Sequence, residues 1–187
     1  LMTLGGGWGV VASDLCVEYG LTIPDLPPEL ISRIDELLPP YWSRSNPVDL
    51  VGKFNPKIAM QVMEELVKWE GCDAVLHLGI IGRIASVKQM IRSIREVDPV
   101  MDRKLLDAIP GALVEFENRF TIHMVHLMEK SGKPILGVNL LPEENARTIM
   151  DVEGSPYKGV SFLTPERAVK ALARMNTYRQ WREREEP

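Results

Sequence analysis

The stretch LMTLGGGWGVVASDLCVEYGL, residues 1–21, decides how the rest of the chain is read. A short apolar run, Leu1 to Leu4, meets three consecutive glycines, Gly5, Gly6 and Gly7, and then a segment of helical character from Val10 to Tyr19, closed by Gly20 as a left-handed cap. Glycine loses more conformational freedom on folding than any other residue, so three in a row need a reason. Two reasons stay open. One is a tight strand-to-helix turn; the other is a loop stripped of side chains so that an anion reaches backbone amides at the positive end of a helix dipole. A Walker loop would need Gly-Lys-Ser/Thr, and the dinucleotide fingerprint G-x-G-x-x-G is not met. Leu1-Met2-Thr3-Leu4 also reads as the end of a strand whose beginning is missing, so a fragment of a longer chain is expected.

Working outward, Pro27-Pro28 open a helix whose Leu30, Ile31, Ile34, Leu37 and Leu38 fall at helical spacing, and Pro39-Pro40 stop it. The segment SRSNPVDLVG (43–52) reads as a loop, because Asn46 precedes a proline. Asn55-Pro56 is an N-cap followed by proline at the first helical position, with Ile58, Ala59, Val62, Met63, Leu66 and Val67 on one face and an end near Glu70. DAVLHLG (73–79) is a nearly continuous apolar run, as in a strand buried on both faces. GIIGRIAS (79–86) leads into a helix to about Arg95. Pro99, Pro110 and Gly111 make 96–112 irregular, before a long helix from Leu113 to Ser131. KPILGVNLL (133–141) is a strand, a short helix follows Pro142, and GVSFL (159–163) is the last strand. Thr164 caps a final helix that starts at Pro165 and runs towards Trp181. With a weak strand near 21–26 or 47–51, about five parallel strands alternate with helices. That pattern predicts an α/β, flavodoxin-like doubly wound sandwich with a mostly parallel sheet. One domain spans 1–182, followed by a charged tail over 183–187.

Bulk properties exclude several classes. The chain has 187 residues, 45% of them hydrophobic and 26% charged, with a net charge of −4, so nothing attracts it generally to nucleic acid or an anionic membrane. No apolar run approaches the roughly 20 residues that span a bilayer, and no secretory signal is visible. Cys16 and Cys72 have neither metal spacing nor a disulfide framework, which points to a reduced, cytoplasmic setting.

Ligands of such folds bind outside the carboxyl ends of the strands. Two loops lie there. One is Gly5-Gly6-Gly7. In the other, residues 79–86, Gly82 permits close approach, Arg83 can pair with an oxyanion, Ile84 opens the helix and Ser86 can cap it. Taken alone, Arg83 also reads as a surface arginine beside a turn. His77, inside a strand, reads as packed and hydrogen-bonded. His123 and His126 are three apart on a helix without a third ligand, so no metal site is expected. Lys88, Arg92 and Arg95 read as a solvated face. A phospho-acceptor response domain would need acidic residues after the first strand and an aspartate ending the third. A flavodoxin flavin loop would need hydroxyls, of which Thr3 is the only one present.

The segments TLGGGWGVVASDLCVEYGL (3–21), ELLPPYWSRSNPVDLVG (36–52) and GVSFLTPERAVKALARMNTYRQW (159–181) together resemble the NDP-forming acyl-CoA synthetases, relatives of succinyl-CoA synthetase. The match is to their carboxyl-terminal flavodoxin-like CoA-ligase domain. It covers most of the chain, while 96–120 departs from it as an insertion would. The resemblance implies a ligase that interconverts acyl-CoA, nucleoside diphosphate and phosphate with free acid, CoA and nucleoside triphosphate, the phosphoryl group travelling on a histidine. It places the helix after loop 79–86 at that phosphohistidine, with the opening glycines on the same face. It implies that Asn46, Pro47 and Asp49 shape the neighbouring loop, with Asp49 bonding backbone donors or facing a partner domain. The carrier histidine, the CoA site and the nucleotide site, with ATP or GTP and Mg, belong to other domains: a CoA-binding domain, a histidine-bearing domain and an ATP-grasp domain or subunit, in an oligomeric enzyme. Phosphate is then the only ligand bound directly here. The other reading left open is a non-catalytic flavodoxin-like module that binds an anionic ligand or a protein partner.

Overall fold

Runs too apolar to leave a polar face need cover on both sides, and they form the centre of the sheet. The computed structural model describes residues 1–52, 55–98, 100–139 and 148–185. Its strands are β1 (Met2–Thr3), β2 (Val48–Asp49), β3 (Val75–Leu78), β4 (Ile135–Val138), β5 (Ile149–Asp151) and β6 (Lys158–Phe162). They form one six-stranded sheet in the order β2-β1-β3-β4-β6-β5. All neighbours are parallel except β5, which runs antiparallel to β6 with Ile149 opposite Val160. Without β5 the order is that of a flavodoxin-like sheet, as the alternating pattern predicts. Every residue of β3 and β4 is buried.

Alternation of side chains sorts the two layers. Met2, Val48, Val75 and Ile135 point to a larger core with α2 (Pro28–Asp35), α3 (Pro56–Lys68), α4 (Ile84–Val97) and α5 (Arg103–Ser131). Leu76, Leu78, Leu136 and Val138 point to a smaller one with α1 (Gly6–Glu18) and α6 (Pro165–Glu185). Phe116 and Phe120 of α5 are among the largest fully buried side chains, and burial of this kind contributes about 1.5–3 kcal/mol each.

Most expected elements appear. Asn55 Oδ1 accepts from Lys57 N–H at 3.0 Å and from Ile58 N–H at 3.4 Å, as an N-cap should. Thr164 Oγ1 accepts from Arg167 N–H at 3.4 Å. Of the two places left open for the weak strand, the second holds it, at 48–49, and residues 21–26 are irregular. Two readings are corrected. First, β5 is an added strand. It carries no apolar run because its residues are exposed or half-buried at the sheet edge. Second, α5 begins at Arg103 and runs through Pro110 and Gly111. Asp102 caps it by accepting from Lys104 N–H at 2.8 Å. Buried Leu106 and an ion pair between Asp107 and Arg95 of α4 hold the added turns. A proline inside a helix costs one backbone hydrogen bond, and tertiary contacts offset it here. The final helix also continues through Glu185. The helix expected after Pro142 lies outside the described residues. Among those described, no helix is long and apolar enough to cross a membrane.

His77 is fully buried, as its place in β3 requires, but neither ring nitrogen has a hydrogen-bond partner among the described residues. The ring instead packs edge-on against Phe120, with centroids 5.4 Å apart. A Cβ at Gly137 would stand 2.7 Å from the imidazole, so the bare backbone of β4 makes room for it. Burial alone pulls the His77 pKa from 6.5 down to about 3. The folded state therefore holds a neutral ring while the unfolded chain takes up a proton below pH 6.5. Stability contributed by neutral His77 is complete above that pH and lost progressively between pH 6.5 and about 3. Urea unfolding should show this group removing about 2 kcal/mol between pH 7 and pH 5. His77→Leu should flatten that slope; an identical slope in both proteins would refute the assignment.

Candidate functional site

Because β1 and β3 are adjacent and parallel, the loops that leave their carboxyl ends emerge side by side. The backbone ties this edge together: Leu4 N–H donates to Leu78 O at 3.2 Å and Gly79 N–H to Val138 O at 2.9 Å. Residues after β2 follow the same path, with Leu50 N–H donating to Thr3 O at 2.8 Å and Gly52 N–H to Leu4 O at 3.2 Å. Gly5–Gly7 and Gly82–Ser86 thus share one edge of the sheet, at the amide ends of α1 and α4.

The glycine triplet is not a tight turn. Gly5 is the N-cap of α1 with φ −156° and ψ 136°, an extended conformation open to any residue, and Gly6 and Gly7 already belong to the helix. None of the three has a positive φ. A Cβ at Gly5 or Gly7 would meet nothing within 4 Å, and one at Gly6 would lie 3.3 Å from Asp49 Oδ2. Nothing in the fold needs bare backbone at Gly5 or Gly7, although glycine in a helix costs about 1 kcal/mol relative to alanine. α1 also has no side-chain cap and no acidic residue in its first turn, so its first amides are left without intrahelical partners. Thr3 Oγ1 donates to Gly5 O at 2.7 Å and fixes the entry to the helix.

The loop named by Asn46, Pro47 and Asp49 sits beneath this end. Asn46 Nδ2 donates to Pro24 O at 3.0 Å, and the Asn46–Pro47 peptide is cis. Pro47 lies 3.3 Å from where a Cβ of Gly9 would stand, so it packs directly under α1. Asp49 Oδ1 accepts from Val51 N–H at 2.8 Å, at a residue with φ 49°. Its second oxygen faces Gly6.

The second loop is built differently. Gly82 has φ +74°, and a Cβ there would come within 2.5 Å of Asn139 at the end of β4. The close approach it permits is to Asn139. Ile80 and Ile81 are buried beneath the loop. Ile84 opens α4 with its side chain partly buried against the larger core. Ser86 does not cap: its Oγ donates to Arg83 O at 2.8 Å, while the N-cap residue, Arg83, makes no side-chain cap bond. The cap comes from elsewhere. Glu117 of α5 accepts from Arg83 N–H at 3.0 Å, and Gly82 N–H bonds the same carboxylate. Burial pushes the Glu117 carboxyl up, against the pull of those amides and of the Arg83 guanidinium; burial likewise lowers Arg83, against the nearby Glu117 charge. Glu117 was not legible from the sequence, since it stands 34 residues away from Arg83 with no local motif.

Other expected residues fall as follows. Lys88, Arg92 and Arg95 are exposed. His123 Nε2 lies 3.3 Å from Glu64 Oε1 of α3, and His126 is exposed. Among the described residues, no group of three or more His, Cys, Asp or Glu is placed to hold a metal ion. A cavity of about 560 Å³, lined by Ile149, Phe162, Arg167, Lys170 and Arg174, lies by β5, β6 and α6, away from the glycines.

The two glycine sites should respond oppositely to alanine. Gly7→Ala should raise stability by about 0.4–1 kcal/mol, since its backbone is helical and its surroundings open. Gly82→Ala should lower stability by about 1–3 kcal/mol through strain and contact with Asn139. Thermal unfolding of both variants checks this, and a loss at Gly7 would contradict the open geometry.

The family described as Ligase-CoA domain matches residues 1–90. An ADP-forming acetate–CoA ligase of Methanocaldococcus jannaschii is 35% identical over 57 residues, 30% of this chain and 8% of that protein. The alpha subunit of ADP-forming acetate–CoA ligase I of Pyrococcus furiosus is 27% identical over 97% of this chain and 33% of its own length. The dinucleotide-forming acetyl-coenzyme A synthetase 1 of Candidatus Korarchaeum cryptofilum, solved with phosphate and ADP, superposes with a TM-score of 0.59 at 19% identity, over 97% of this chain and 33% of that one. The chain thus spans about a third or less of these relatives. Residues 1–90 thus match the Ligase-CoA domain family, and the relatives that share sequence with the chain are ADP-forming CoA ligases.

Proposed function

We propose that this chain is the phosphate-facing domain of an NDP-forming acyl-CoA synthetase. The enzyme converts acid, CoA and nucleoside triphosphate to acyl-CoA, nucleoside diphosphate and phosphate, with the phosphoryl group carried on a histidine of another domain. One observation carries the reading: the amide end of α1 is kept bare by Gly5, Gly6 and Gly7, and at Gly5 and Gly7 no neighbour requires glycine. Exposed first-turn amides at the positive end of a helix dipole favour an approaching dianion. In such transfers the protein acts mainly by positioning and by stabilising charge on the moving group.

Each residue then has a task. Gly5–Gly7 give the phosphoryl oxygens access to amide donors. Thr3 and Asp49 hold the backbone on either side, through Gly5 O and Val51 N–H. Asn46 and Pro47 keep the neighbouring loop packed against α1. Gly82, Arg83, Ile84 and Ser86 form the second wall at the α4 end. CoA, ATP or GTP, and Mg are bound by the partner domains, namely the CoA-binding, histidine-bearing and ATP-grasp units of an oligomeric cytoplasmic enzyme.

The test uses the full polypeptide with its ATP-grasp partner, incubated with labelled nucleoside triphosphate and Mg. An acid-labile phosphoprotein should form. Gly7→Val should lower its formation rate by at least about tenfold while leaving thermal stability nearly unchanged, because a Cβ there meets nothing within 4 Å. Absence of the phosphoprotein would favour a non-catalytic, anion-binding module instead, and equal losses of stability and transfer would remove the glycines from the mechanism.

A further inference from the structure

Two helices do not cover six strands. On the face of the smaller core, α1 packs over β1 and α6 over β3, β4 and β6, and among the described residues no other helix joins them. Six strands about 4.8 Å apart make a sheet roughly 24 Å across, while two packed helices of about 10 Å each span less. The β6–β5 edge is left bare beside α6, and Val160 and Phe162 on that face stay only half-buried. The result is the cavity of about 560 Å³, a volume in the range of small-ligand pockets.

Floor and rim differ in chemistry. Val160, Phe162, Leu163 and Ala171 supply an apolar floor, with exposed Ile149 at the mouth. Arg167, Lys170 and Arg174 line the other wall at i, i+3 and i+7 of α6, one side of that helix. Lys170 is already engaged: its Nζ donates to Glu166 Oε1 at 2.5 Å and stands 5.3 Å from the Tyr19 ring centroid. Among the described residues, neither the Arg167 nor the Arg174 guanidinium has a hydrogen-bond or ion-pair partner, and no carboxylate lines the cavity. Unpaired positive charge is thus gathered at an apolar hollow in a chain whose net charge is −4.

We propose that this cavity binds a small organic phosphate, its apolar ring body against Phe162 and the strand floor and its phosphate between Arg167 and Arg174. The two arginines are two turns apart, about 10.5 Å along the axis, and their long side chains can converge on one group. Each guanidinium offers a fork of parallel N–H donors. A phosphate dianion has the oxygens and the charge to satisfy both forks, whereas a carboxylate has two oxygens and a single charge. Neither Gly5–Gly7 nor the α4 end takes part, so the site stands independently of the phosphate face.

The experiment titrates 1-naphthyl phosphate into the 187-residue chain by calorimetry, with inorganic phosphate, 1-naphthol and 1-naphthoate as separate arms. 1-Naphthyl phosphate should bind at least about tenfold tighter than inorganic phosphate or 1-naphthol, and 1-naphthoate should bind more weakly than the phosphate ester. Arg167→Gln and Arg174→Gln, both at exposed helix positions, should each weaken binding of the ester at least about fivefold without lowering the melting temperature of the free protein. Ala171→Phe, which fills the cavity from α6, should abolish binding; the arginine variants carry the test should it not fold. Lys104→Gln, an exposed cation of α5, should bind as wild type does. No binding of the ester, equal binding of inorganic phosphate, or undiminished affinity in both arginine variants would overturn the site. Tighter binding of 1-naphthoate than of the ester would overturn its assignment to a phosphate.

Discussion

Backbone amides at a helix start have no partner inside the helix, and each such end must find an acceptor, a side chain or water. In this chain the parallel pairing of β1 with β3 brings two such ends to the same edge of one sheet. The structure resolves them in opposite ways. At α4 a carboxylate arrives from α5 and accepts an amide bond; at α1 Asp49 Oδ2 faces Gly6, but no side chain caps the helix and its three glycines are exposed. Much of what is distinctive about the molecule follows from that asymmetry.

The scaffold that fixes these ends is assembled from steric necessities. Gly82 must be glycine because Asn139 leaves no room for a Cβ and because its φ is positive. Gly137 must be bare because the His77 ring lies over it. Pro47 fills the space under Gly9. Such contacts hold β3, β4 and the loop before β2 in register with the helices above them. Against this background Gly5 and Gly7 stand out, since no neighbour accounts for their lack of a side chain. The proposed anion site rests on this, because amide donors and dipole field are both strongest where side chains do not intervene.

His77 and Glu117 show how burial shapes the chemistry of the larger core. The imidazole stays neutral because its surroundings offer no partner for a charge. The carboxyl keeps its place only because Arg83 and two amides oppose the desolvation. They come together through α5, where Glu117 and Phe120 lie one turn apart and reach the α4 end and the His77 ring respectively. The long helix, extended by turns that Asp102 caps and Leu106 anchors, is therefore part of the site as well as of the core.

The sequence by itself determined the parallel α/β layout. Continuous apolar runs at 73–79 and 133–141, N-caps at Asn55 and Thr164, and the break at Pro39-Pro40 are local signals, and local physics reads them directly. It also brought out the glycine triplet and the segments that resemble the ligase family. Only the tertiary structure decided whether those glycines served a turn or a helix start, because that depends on φ and on what stands nearby. It alone carried α5 through Pro110, where packing on α4 offsets a lost hydrogen bond, and it alone recruited β5, an edge strand defined by its partner rather than by its own residues. The arrival of Glu117 at Arg83 was likewise invisible in one dimension: a carboxylate finds a distant amide through the fold, and no spacing along the chain encodes their meeting.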